Sequence, residues 1–162
     1  MNTPPSHYTD DHRITSEDLF NASSYEELAQ IALGELKSLG NAVSIVCGPI
    51  TTGGRGSIKD NVAVFGATIK KLSETNILFN QVPYEGSIAR LRQIWHNEGN
   101  TGYCMPILDV FYAQLFESGN ITKAYFIPGW ESSFGARWEH NEMKLHGVEI
   151  VYLTDEWIDS II

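Results

Sequence analysis

Cysteine is scarce in this chain: its 162 residues hold two, Cys47 and Cys104. Two are too few for a disulfide framework and fit a reducing compartment. Basic residues are outnumbered, 11 against 20 acidic, for a formal charge of −9. That balance excludes a general binder of nucleic-acid polymers or anionic membranes, which needs a basic face, but leaves room for a small anion in a local pocket. No apolar run approaches the length of a membrane span, and MNTPPSHYTDDHR lacks the apolar core of a signal peptide. The expectation is a cytoplasmic domain with no membrane partner. The five histidines, His7, His12, His96, His140 and His146, are not spaced as a ligand cluster, so no metal site is expected. There is no internal repeat and no sign of a second domain.

What is present is core-forming: 43% of residues are hydrophobic and 11% aromatic, enough for one domain of this length. Residues 1–22 are polar with Pro4 and Pro5 and read as a flexible tail, leaving 23–162 as the domain. In SYEELAQIALGELKSLG, Ser24 and Glu27 form a capping box and Gly40 a stop, which predicts an N-terminal helix. AVSIVCG (42–48) is a short, near-continuous apolar run, the mark of a strand buried on both faces. A helix through NVAVFGATIKKLSE follows, then a second strand, NILFN (76–80). SIARLRQIWHN and MPILDVFYAQLFES read as amphipathic helices separated by EGNTGYC. KAYFIPG (123–129) is a third strand, Ser133 to His146 a helix, and VEIVYL (148–153) a fourth strand. The alternation predicts an α/β fold in three layers: a parallel sheet of four to five strands with helices on both faces, plus the extra N-terminal helix.

In such sheets ligands bind beyond the carboxyl ends of the strands. CGPITTGG leaves the first strand, NQVPYEG the second and PGWESS the third. In the first loop Gly48, Gly53, Gly54 and Gly56 allow backbone N–H groups to turn toward an anion, while Thr51, Thr52 and Ser57 add hydroxyls and Arg55 and Lys59 positive charge. The spacing is neither G-x-x-x-x-G-K-[ST] nor G-x-G-x-x-G, and a flexible turn without a ligand fits it as well. FIPGWESSFGARWEHNEMK (126–144) says more. Ser133 is placed to cap a helix whose free N–H groups attract an anion. Glu139 leans toward that same end over Gly135, which leaves space beneath the carboxylate.

Together, CGPITTGG and SSFGARWE resemble the nucleoside 2-deoxyribosyltransferase-like superfamily, which includes 2'-deoxynucleoside 5'-phosphate N-hydrolases and CMP hydrolases. The resemblance spans about residues 42–153 and implies a Rossmann- or flavodoxin-like sheet. The superfamily pattern (D/S)-x-G-x-x-x-E reads Ser133, Gly135, Glu139 here and implies that Glu139 is the nucleophile toward C1' of the sugar. Asp109 matches the acidic residue near the leaving base, although its spacing to Ser133 is longer than usual. Gly48, Ile50, Thr51, Thr52, Gly53, Gly54 and Arg55, with Ser133 and Gly135, are the implied substrate contacts. Nucleoside transferases of the group carry Asp where this chain has Ser133, and nucleotide hydrolases carry Ser. The implied substrate is thus a nucleoside 5'-monophosphate, with no cofactor and a homodimer as the assembly. The aromatic-rich segment 110–119 is the candidate contact between copies. A transferase acting on free nucleosides and a non-catalytic nucleotide sensor stay open. Tyr84, Trp95, Tyr103 and Trp130 are further residues that could stack on a base or pack in the core. The first 41 residues, RLRQIWHNEGNTGYC and the short end after the last strand depart from the group.

Overall fold

The computed structural model describes residues 16–51 and 53–162. Its sheet has three parallel strands, β1 (Val43–Cys47), β2 (Ile121–Phe126) and β3 (Glu149–Tyr152), in that spatial order. All five residues of β1 are buried, as its near-continuous apolar run requires of a strand covered on both faces. Val43, Ile45 and Cys47 point to one face and Val46 to the other, the two-residue period of a strand.

The expected four to five strands are reduced to three. The segment NILFN runs along the free edge of β1 but makes a single parallel bridge, Ser44 to Leu78, with Ser44 N–H donating to Ile77 O and Phe79 N–H to Ser44 O. The ladder stops for a local reason. The Asn80 Oδ1 accepts the Val82 N–H at 3.0 Å, and the Gln81 Nε2 donates to Val46 O at 2.5 Å, the carbonyl a longer strand would bond through its backbone. Pro83 follows in a 3-10 turn, Val82–Tyr84. Counted with this segment, the chain order across the sheet is second, first, third, fourth. The topological switch point therefore lies between β1 and β2.

Helices cover both faces. On one side lie α1 (Ser16–Asn21), α2 (Tyr25–Leu39), α4 (Glu85–Asn97), the segment 107–117 and α6 (Phe134–Leu145), which share the larger core. On the other lie α3 (Ile58–Leu72) and the short α7 (Asp155–Asp159). Helix boundaries follow the caps. Ser24 Oγ accepts the Glu27 N–H at 3.1 Å, Glu27 answers by accepting the Ser23 N–H, and Gly40 ends α2 at φ 104°.

Three expectations change. Of the tail 1–22, residues 1–15 lie outside the described residues, while Ser16–Asn21 form α1. Leu19 and Ala22 are buried, and their carbonyls accept from Ser87 Oγ and Arg90 Nη2 on α4. The helix in MPILDVFYAQLFES begins as a π-helical run, Ile107–Tyr112, before α5 (Ala113–Glu117). Its Phe111, Tyr112, Leu115 and Phe116 are buried in the protomer's own core, so these aromatics are not a contact surface between copies. Among the described residues no helix is long and apolar enough to cross a membrane.

Candidate active site

The site lies at the carboxyl ends of β1 and β2, where the switch point opens the sheet edge. Glu139 sits on the second turn of α6, facing a cavity of about 60 Å³. Ser133, Gly135 and Ala136 of the same helix line it, with Gly48, Ile50 and Thr51 of the loop after β1 opposite. The structure thus brings together Glu139, Ser133, Gly135, Gly48, Ile50 and Thr51 of the implied site residues, with Tyr103 of the aromatic candidates. Thr52 lies outside the described residues.

Asp109 does not join them. It is exposed on the π-helical run, whose Ile107, Leu108, Phe111 and Tyr112 take the core side. The second carboxylate of the cavity is Glu85, at the first position of α4, directly after NQVPYEG leaves the edge of the sheet. That segment was visible as one of the three loops at the carboxyl ends. Arg92, two turns further along α4, and Tyr103, from EGNTGYC, complete the lining.

The electrostatics follow from burial. Desolvation pushes Glu139 up to about 7; a hydrogen bond from the Cys47 thiol opposes this, and the charge of Glu85 adds to it. Glu85 is likewise pushed up to about 7 by desolvation, against the pull of the Arg92 guanidinium. Burial thus raises both carboxyls toward neutrality, and a charge on Glu85 makes ionisation of Glu139 harder still. Tyr103 rises to about 12, first through burial and then through the Glu139 charge, so it is a neutral phenol. Cys47 is driven up by burial and by Glu139, and stays a thiol.

Ser133 caps α6 as the sequence predicts, its Oγ accepting the Ala136 N–H at 3.2 Å. The N–H groups of Phe134 and Gly135 belong to the first turn and have no partner within the helix, which makes this end attractive to an anion. The glycine-rich loop behaves differently from expectation. The Gly54 N–H donates to Ser132 Oγ at 2.9 Å, and the Arg55 N–H to the Asn61 side chain at 2.9 Å. Asn61, 4% exposed, donates in turn to the Ile50 and Gly53 carbonyls. These donors hold the loop in shape instead of facing an anion. Glycine is required here: a Cβ on Gly53 would meet Ser132 Oγ at 2.2 Å and one on Gly54 would meet Asn61 Oδ1 at 2.5 Å, both at positive φ. Gly54 and Arg55 border a separate cavity of about 430 Å³ on the α3 and α7 side.

The space over Gly135 is occupied as well. A Cβ there would lie 2.9 Å from the Tyr103 hydroxyl, so the missing side chain makes room for Tyr103. Of the other aromatic candidates, Tyr84 is core, 1% exposed and bonded to Glu35 at 2.7 Å. Beyond Glu85 and Arg92 an apolar groove of about 350 Å³ continues between α3 and α4, lined by Ile58, Val62, Phe65 and Val82. Among the described residues no group of three or more His, Cys, Asp or Glu is placed to hold a metal ion. No protein-family model, no curated protein and no solved structure matches the chain.

Proposed function

We propose that this chain is an N-glycosidase that cleaves the base–sugar bond of a nucleoside 5'-monophosphate, a divergent member of the nucleoside 2-deoxyribosyltransferase-like superfamily. The observation that carries the reading is the pair Glu139 and Glu85 in one cavity at the switch point, each pushed to about 7. Two carboxyls that share a site divide into one acid and one base near neutral pH. In the proposed reaction the ionised Glu139 bonds to C1' as the C1'–N bond breaks, and the Glu85 carboxyl gives its proton to the departing base. Water then attacks C1', Glu85 takes a proton from it, and Glu139 leaves as a carboxylate.

The N-terminus of α6, with Ser133, is the proposed phosphate subsite, and Arg92 adds positive charge to the same cavity. The apolar groove beyond Glu85 suits the faces of a base. The same groove would admit a second base as acceptor, which is the route to the transferase alternative. A homodimer belongs to the proposal as a separate part, checked by sedimentation at working concentration.

The test is a panel of nucleoside 5'-monophosphates and free nucleosides, with release of free base followed by chromatography. The reading requires release from at least one monophosphate and its loss in Glu139→Gln. No release from any member, or undiminished release by a folded Glu139→Gln protein, would sink it.

A further inference from the structure

The cavity lined by both carboxylates is small, about 60 Å³ against about 350 Å³ for the groove that continues beyond Glu85 and Arg92. What fills the remaining space is Tyr103. Its hydroxyl stands 2.9 Å from where a Gly135 side chain would begin, and its ring packs on Phe134 with centroids 4.6 Å apart. Phe134 is itself 41% exposed, with the Arg137 guanidinium 5.8 Å from its ring centre. Tyr103 is thus partly buried at the rim of the cavity, against the edge of the larger core.

Its backbone runs between two fixed points. On one side Asn100 is fastened to the end of α4, its Nδ2 donating to Trp95 O at 2.8 Å and its carbonyl meeting His96 Nδ1 at 3.2 Å. On the other, Cys104 is buried, with its carbonyl accepting the Ile107 N–H and its sulfur 3.5 Å from the Tyr25 hydroxyl. Between these anchors lie exposed Thr101 and Gly102, the latter at φ +78°. Any displacement of the Tyr103 ring would have to be taken up at these two residues, between the anchors.

We propose that Tyr103 is a displaceable plug of the sugar subsite: a pentose reaches Glu139 only when the 101–103 segment swings the ring off Phe134 and out of the space over Gly135. The proposal rests on the N-glycosidase reading for the identity of the ligand. Tyr103 then sets access and selectivity, since a ligand must bind well enough at the α6 N-terminus to offset the closed state.

The test measures calorimetric binding of ribose 5-phosphate to wild type, Tyr103→Ala, Tyr103→Phe and Phe134→Ala, with base release assayed separately. Removing the plug or its latch abolishes the closed state. Tyr103→Ala and Phe134→Ala are therefore expected to bind about two- to tenfold tighter, the range a single ring pair can impose. Tyr103→Phe keeps the ring and should stay close to wild type. Equal or weaker binding in the two relaxed variants overturns the plug, as does absence of ribose 5-phosphate binding by all four proteins. If Tyr103→Ala does not fold, Phe134→Ala, altered at a half-exposed position, decides alone. Base release without the gain in binding refutes the plug and leaves the N-glycosidase reading standing. The gain without base release does the reverse.

Discussion

The Ser132 hydroxyl accepts the Gly54 N–H at 2.9 Å and donates to the Gly129 carbonyl at 2.6 Å, so the loop after β1 and the turn after β2 are one hydrogen-bonded piece. The bond crosses the switch point and fixes how far Thr51 stands from Ser133. Ser132→Ala should cost about 1 kcal/mol of stability, the net worth of such a bond. Gly53→Ala should cost more, because its Cβ would collide with Ser132 Oγ and the Ser132 carbonyl carbon at a positive φ. Denaturant melts of both variants check the order. A Gly53→Ala protein as stable as wild type would show that the two loops are not in contact.

The roles of the carboxylates are separable. Glu139→Gln should abolish base release, and Glu85→Gln should lower kcat by about 10²–10⁴, the range for a lost general acid. Asp109→Asn, altered at an exposed position outside the cavity, should leave kcat within a small factor of wild type. A large loss in Asp109→Asn with little change in Glu85→Gln would return the acid role to Asp109.

Both carboxyls have folded-state values raised to about 7 from 4.5, so the folded protein holds more protons than the unfolded chain between those limits. Their contribution to stability is full below pH 4.5 and is lost as pH rises through 7. Glu139→Gln removes an ionisation that burial opposes and should flatten this fall, by up to about 3 kcal/mol at pH 8. Thermal melts of wild type and variant from pH 4.5 to 8 test this. A wild-type stability that rises across that range contradicts the buried pair. Base release should trace a bell centred near pH 7, since it needs one carboxyl protonated and one ionised.

In the proposed reaction Ser133 is the residue that would choose between phosphate and hydroxyl. Charge-assisted hydrogen bonds contribute on the order of 1.5–3 kcal/mol each, so a 5'-phosphate at the α6 N-terminus should improve kcat/KM at least tenfold over the free nucleoside. Ser133→Asp sets a negative charge against that phosphate and should lose monophosphate turnover far more than nucleoside turnover. Equal preference in wild type, or no selective loss in Ser133→Asp, would put the transferase reading ahead.

Much of the frame was legible because its signals are local. Ser24 and Gly40 bound α2, Ser133 caps α6, and the apolar run of β1 announces a strand buried on both faces, each through residues close together along the chain. Glu139 and Ser133 emerge the same way, since one helix carries both at a fixed spacing. NILFN misled because Asn80 and Gln81 use side chains to take the backbone partners of a longer ladder. Asp109 stands outside the cavity because a π-helical run sets which residues face the core, and no short pattern encodes that winding. Glu85, Arg92 and Tyr103 reach Glu139 only across the folded sheet edge, and the glycine at 135 acquires its meaning from a tyrosine on another loop. The sequence alone thus determined the helix starts, the strand buried on both faces and one candidate carboxylate, which depend on neighbours along the chain. The tertiary structure decided the second carboxylate, the upward shift of both and the occupant of the cleared space, because desolvation and contact arise only when distant segments are packed together.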